Sequence, residues 1–173
     1  MKLLITILAG LGASSAFAQD VTTRFVGTTS PYAYLLPQGN ILAGGMWDLV
    51  YSDNLPLVLR PNLGNAATRL VLEGRLPTDP SALSFTVESH STAPNVEQVV
   101  AMWDYDARTW VTIGADTLWS LDSAREYTVP DQILRFSEAG TGRMRVQIAI
   151  RSYGQFAYPW QARIDSVYWS WLE

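Results

Sequence analysis

Residues 143–151 read Arg-Met-Arg-Val-Gln-Ile-Ala-Ile-Arg, with Met144, Val146, Ile148 and Ile150 on one parity and Arg145, Gln147, Ala149 and Arg151 on the other. Strict alternation of this length is the mark of a half-buried strand, because successive side chains leave a strand on opposite faces. The same rhythm recurs. Leu70 and Leu72 alternate with Arg69, Val71 and Glu73, and Leu83, Phe85 and Val87 alternate with Ser84, Thr86 and Glu88. Val100 and Met102 lie on the parity opposite to Trp103 and Tyr105. The stretch from Trp160 to Trp171 is aromatic or β-branched at most positions and reads as a final strand.

Turn signals separate these runs: Pro37-Gln38-Gly39-Asn40, Gly44-Gly45, Ser52-Asp53-Asn54, Pro61 to Asn65, Pro77 to Pro80, Asp104 to Arg108 and Gly140-Thr141-Gly142. Short strands at such regular spacing predict an all-β sandwich or barrel. The only helical candidate is Pro130 to Glu138, as a helix or a single turn, with Pro130 at its first position and Ile133, Leu134 and Phe136 turned inward.

The first residues carry a different pattern. Lys2 is followed by an apolar run from Leu3 to Leu11 and by Ala16-Phe17-Ala18, the layout of a secretory signal peptide. The apolar run is shorter than the roughly 20 residues a membrane-spanning helix needs. Residues 1–18 are therefore expected to be a cleaved leader and residues 19–173 a single secreted domain, periplasmic or extracellular, with no membrane insertion after cleavage. That domain would carry arginine as its only strong base, since Lys2 is the only lysine. The chain has 16 Asp and Glu against 12 Lys and Arg, for a net charge of −4. An acidic chain without a basic cluster in its sequence is a poor candidate for nucleic acid. There is no Cys, which excludes disulfides, thiol chemistry and thiolate metal sites.

Two segments carry a resemblance. The first is Val96 to Ile113, an apolar strand with a polar-aromatic end, a turn through Asp106-Ala107-Arg108-Thr109, and Trp110-Val111-Thr112-Ile113 returning. The second is Arg143 to Arg151 followed by Phe156 to Trp169. Together they resemble the hairpin and closing strands of galactose-binding-like jelly-roll modules of secreted bacterial proteins. The resemblance spans roughly Gly39 to Trp171. It implies a two-sheet antiparallel β-sandwich of jelly-roll type and a non-enzymatic role, and it carries no ligand across.

Motifs for chemistry are sparse. There is no Gly-x-Ser-x-Gly elbow. The single histidine, His90, has no nucleophile marked beside it and reads as a solvated turn residue. One histidine and no cysteine exclude an ordinary zinc site. Calcium needs only oxygens, and Asp48, Asp53 and Asn54, with Ser52 and the carbonyls around Gly44-Gly45, offer some. The resembled modules often hold a structural calcium near such an early loop. Asp53-Asn54 serves equally as a plain turn, because both side chains can bond their own backbone. No other cofactor is expected. No local motif selects a pair of acids for glycoside hydrolysis.

Aromatic residues are the remaining lead, with 7 Trp, 8 Tyr and 5 Phe. Tyr153, Phe156, Tyr158 and Trp160 fall within eight residues that also hold Gly154 and Pro159. Rings in such a loop suggest a binding surface, although Trp160 opens the last strand and is the nearest of the four to a core position. Tyr32 and Tyr34 share a parity and would project together from an extended segment. Trp103 and Tyr105 read as cross-strand packing that shields the sheet, and Trp110 reads as core. The functional expectation is a secreted, non-catalytic module that recognises an extracellular glycan through these rings. The alternatives are a structural or assembly protein of the cell surface that pairs through edge strands with a partner, and a small hydrolase.

Overall fold

The computed structural model describes residues 27–76, 80–130, 132–153 and 159–173. Its strands are β1 (Gly27–Thr29), β2 (Ala33–Gln38), β3 (Asn40–Ala43), β4 (Leu57–Arg60), β5 (Ala67–Arg75), β6 (Ala82–Ser91), β7 (Val96–Asp104), β8 (Thr109–Leu118), β9 (Ser123–Thr128), β10 (Arg143–Ser152) and β11 (Ala162–Leu172). They form two antiparallel sheets. One has the order β3-β4-β11-β6-β9, with β1 also on β11, and the other has the order β2-β5-β10-β7-β8.

The pairing defines the topology. β4 pairs with β11, β5 with β10, β6 with β9, and β7 with β8. These four nested pairs are one long hairpin of strands. Rolling it up brings β11 onto β6 and β10 onto β7, which closes each sheet. This is the jelly-roll sandwich, the fold that the Val96–Ile113 and Arg143–Trp169 segments imply.

Alternation decides what lies between the sheets. Met144, Val146, Ile148 and Ile150 are all buried, and so are Leu70, Leu72, Val100 and Met102 on the neighbouring strands. From the other sheet come Leu83, Phe85, Val87, Ile164, Val167 and Trp169. Trp169 lies 5.1 Å from Phe85, ring to ring. It reaches across to β5, where a Cβ on Gly74 would stand 2.5 Å from the indole. The small residue opposite the large one is what lets the inner faces interdigitate. One polar chain also crosses the core: Ser89 Oγ donates to Gln98 Oε1 at 2.9 Å, and Gln98 Nε2 donates to the Tyr127 hydroxyl at 3.0 Å. It ties β7 of one sheet to β6 and β9 of the other, and it satisfies a fully buried amide.

Three readings are corrected. The segment from Pro130 holds only one 3-10 turn, Ile133–Phe136, in which Phe136 is buried and Leu134 is exposed. A turn this short has no continuous inner face, so Leu134 cannot join Phe136 inside. His90 is a half-buried residue of β6, its Nδ1 3.5 Å from Asp122 Oδ1, and not a turn residue. Trp110 is only half-buried and lies outside the core. It faces outward because it sits directly opposite Trp103 across the hairpin, and Trp103 already has outward parity.

The half-buried reading of β10 has a measurable consequence. Ile148→Ala should lower stability by about 2–5 kcal/mol, the cost of a cavity at a fully buried site. Arg145→Ala should cost about 0–1 kcal/mol, as for a partly exposed ion pair. Denaturant unfolding of the two variants compares them directly. Equal losses would mean that the strand is not divided into a wet and a dry face.

Candidate functional site

The wet face of the five-stranded sheet forms the most developed surface feature. Its residues follow from register. Ala33 of β2 lies beside Glu73 of β5, Glu73 beside Arg145 of β10, and Trp103 of β7 beside Trp110 of β8. The β10–β7 pairing ends at Val146–Met102, and Arg145 follows it directly, ahead of Met144, which Ser137 bridges. The next row along the strands is Leu35, Val71, Gln147, Ala101 and Thr112, and after it come Gln38, Arg69, Ala149 and Val99. Large or charged side chains thus fill the first row from Glu73 to Trp110, with Ala33 small at its β2 end, while Val71, Ala101, Ala149 and Val99 keep the next two rows low.

Five strands at about 4.8 Å spacing put β2 and β8 roughly 19 Å apart. Even so, one depression of about 390 Å³ is lined by Ala33 and Leu35 from the first edge and by Trp110 from the other, with Val71, Glu73 and Arg145 between them. Side chains from both edges thus enclose a depression on this face. A second depression, of about 540 Å³, continues along the strands over Gln38, Arg69, Val99, Thr112, Ala149 and Arg151. In the opposite direction the face runs toward a wide cavity of about 810 Å³ at the end of the sandwich, bordered by Arg75, Tyr105, Arg135 and Glu138.

The β7–β8 turn holds the two tryptophans in place. Asp104 is buried, and its Oδ1 accepts the N–H groups of Asp106 at 2.9 Å and Ala107 at 2.8 Å. This fixes the turn, with Arg108 in the left-handed region at φ 53°. Asp104 then pairs with Thr109, and Trp103 with Trp110. The two rings meet edge to face at 5.3 Å and 68°, a geometry that aromatic quadrupoles favour. Beside them, Arg145 Nε donates to Glu73 Oε1 at 2.7 Å, and Arg143 adds a second cation at 3.8 Å from the same oxygen. Arg143 also pairs with Glu138 at 2.8 Å. That arginine and the Thr141 hydroxyl hold the Glu138 carboxyl below its ordinary range, with the Thr141 hydrogen bond the larger cause. The Tyr105 hydroxyl is shifted upward by burial, against the opposing charge of Arg143 and Arg145.

The rings expected to bind a ligand are dispersed. Trp160 is fully buried in the core and presents no face to solvent, so it cannot stack on a ligand. Tyr34 lies opposite Leu72, on the inward parity of β2, and packs against the core, while also bordering the depression of about 390 Å³. Tyr32 precedes β2 and is 52% exposed. Tyr153 is exposed at the far end of the sandwich, where it lines a cavity of about 450 Å³ with Pro94, Asn95, Leu118 and Trp119. Phe156 and Tyr158 lie outside the described residues. Trp110 was missed as a surface ring, although its signal was present: Trp110 and Thr112 alternate with Val111 and Ile113, both of which pack against the core.

The metal expectation also shifts. Asp48 Oδ2 accepts the Gly45 N–H at 2.6 Å, and Asp53 Oδ1 accepts the Leu55 N–H at 3.0 Å. Both are occupied as local turn acceptors. Asn54 sits in the left-handed region at φ 63°, and its N–H reaches Asp165 Oδ2 at 3.3 Å. The carboxylates that do converge among the described residues are Glu88, Asp122 and Asp165, with oxygens within 4.8 Å of one another. Asp165 is the extra residue of a bulge between Ile164 and Ser166 on β11, the kind of irregularity that re-aims a side chain. It is 1% exposed, and its Oδ1 has no hydrogen-bond partner. An all-oxygen set with an orphaned buried carboxylate oxygen suits a hard divalent cation of the calcium type. Among the described residues it is this cluster, and not Asp48 with Asp53, that brings three carboxylates together.

No family model matches the chain, and no curated protein matches it in sequence. Solved structures of similar shape include a xylan-binding module CBM15, 12% identical, with a TM-score of 0.49 over 80% of this chain and 96% of that one. Another is the carbohydrate-binding module CBM6cm-2 of Cellvibrio mixtus lichenase 5A in complex with cellotriose, 8% identical, with a TM-score of 0.47 over 87% and 100% of the two chains. A third is TmCBM61 in complex with beta-1,4-galactotriose, 11% identical, with a TM-score of 0.45 over 84% and 88%. These are likenesses of architecture.

Burial, and then the neighbouring charges of Glu88 and Asp122, hold the Asp165 carboxyl above its ordinary value. Folding therefore favours its protonated form, a contribution present below about pH 3.9 and lost as pH rises through the raised folded value. With chelator present, Asp165→Asn should raise the Tm at neutral pH, and the gain should shrink as the pH approaches 4. Calcium should raise the Tm of the natural protein and leave the variant unchanged. A variant that melts lower at both pH values would mean that the carboxylate is satisfied within the fold.

Proposed function

We propose that this chain is a non-catalytic carbohydrate-binding module that takes a glycan along the wet face of the five-stranded sheet. The observation that carries this reading is the Trp103–Trp110 pair, held half-exposed at an open depression beside the Arg145–Glu73 ion pair. A sugar ring offers apolar C–H faces and a rim of hydroxyls. The tryptophans supply rigid apolar area for the faces, while Arg145, Glu73, Gln147 and Thr112 supply donors and acceptors for the rim. The low floor of Val71, Ala101 and Ala149 leaves room for a chain to lie across it.

A binding role is favoured over hydrolysis by the state of the acids on this face. Glu73 is engaged by Arg145 at 2.7 Å and Glu97 by Arg151 at 2.6 Å. Each carboxylate is already committed to an arginine, so neither stands free to serve as one of a catalytic pair of acids. The leader pattern at Lys2 to Ala18 supports placing the module outside the cytoplasm, where such glycans are met.

Trp110→Ala should weaken glycan binding by about 30-fold or more, the effect of deleting a central aromatic anchor, with little change in Tm because the ring lies outside the core. Isothermal titration against a panel of soluble oligosaccharides, with melting curves for both proteins, measures the two quantities together. Unchanged binding in the variant would place the site elsewhere, with the cavity beside Tyr153 and Trp119 the first alternative.

A further inference from the structure

The charge on this face runs against the charge of the chain. By strand parity its outward residues include Arg69, Arg75, Arg143, Arg145 and Arg151, set against Glu73 and Glu97. Counting Glu138, which engages Arg143, that is a surplus of two positive charges on one surface of a protein whose net charge is −4. The surplus is uneven. Arg143 and Arg145 are paired with Glu138 and Glu73, near the tryptophans. The depression over Arg69 and Arg151 is lined by two arginines and no carboxylate. Arg151 is steadied from one side by Glu97, and Arg69 makes no ion pair among the described residues. Gln38, Thr68 and Thr112 complete its polar lining.

We infer that the ligand of this face carries carboxylates, and that a uronate unit of the glycan seats in the depression between Arg69 and Arg151. The inference rests on the reading of the face as a glycan site and adds the class of glycan. Guanidinium groups recognise carboxylates through parallel N–H donors, an arrangement that an ammonium group cannot reproduce. Along β5, Arg69 stands four residues from Glu73, about 13 Å at strand rise. A glycan with one unit over Trp110 and Arg145 would thus place a later unit at Arg69. A neutral sugar would leave the unpaired cation of Arg69 covered and uncompensated, which disfavours it relative to an acidic one.

The test compares short oligogalacturonates and alginate oligosaccharides with fully methyl-esterified oligogalacturonates and with neutral xylo-oligosaccharides, by titration at low and at physiological salt. The natural protein should bind at least one of the two free acids about tenfold or more tightly than the ester, consistent with a charge-assisted hydrogen bond, and the preference should shrink with salt. Arg69→Gln should remove that preference and leave ester affinity unchanged. Equal binding of acid and ester, or a preference that survives in Arg69→Gln, overturns the acidic class while leaving a glycan module in place. Poly-glutamate binding as tightly as the acidic glycans would overturn it in favour of a general anion surface. If no glycan of any kind binds, the reading of the face fails together with the inference built on it.

Discussion

Everything in this molecule hangs on the packing of one sheet's inner face into the other's, centred on Trp169, Phe85 and Gly74. Trp169 fills the space between β11, β6 and β5 because Gly74 leaves that space empty. The rolled-up hairpin has no disulfide and, among its described residues, no long helix to brace it. Burial of the alternate residues of β5, β6, β7, β10 and β11 is what holds the sheets together. Gln98 adds a polar tie whose amide can be satisfied only if β6, β7 and β9 are in register, so it specifies the fold as well as stabilising it.

The same alternation frees the other face. Because Met144, Val146, Ile148 and Ile150 carry the packing, Arg145, Gln147, Ala149 and Arg151 are released from it. A sheet with one dry and one wet side can change its wet residues at little cost in stability. The aromatic pair at one edge and the small residues between the long side chains leave depressions on the wet side. The arginines on that side belong to strands held firmly from within, which keeps their spacing fixed without a ligand.

Most of the fold was legible in the sequence, because period two is a local signal. The strands around Leu70, Phe85, Val100 and Ile148 fall where the alternation predicts. The site was far less legible. The ring cluster from Tyr153 to Trp160 stood out through composition, but composition does not assign a face: Trp160 is buried and Tyr34 turns inward. Trp110 was misread as core because its large apolar ring suggests burial, whereas its face is set by pairing with Trp103 across the turn. The acidic cluster was invisible for a different reason. Glu88, Asp122 and Asp165 lie far apart in sequence and meet only when β11 pairs with β6, at a bulge that no local pattern announces.

The central claim is that the outward tryptophans of the five-stranded sheet contact ligand while the inward ones hold the fold. Tryptophan indole N–H resonances report both classes at once. Titration of the ¹⁵N-labelled protein with the oligosaccharide that binds most tightly should shift the Trp103 and Trp110 indole signals in a saturable way and leave those of Trp160 and Trp169 in place. Shifts confined to Trp119, at the far end of the sandwich, or no shift at Trp103 and Trp110 while binding is evident by calorimetry, would contradict the account.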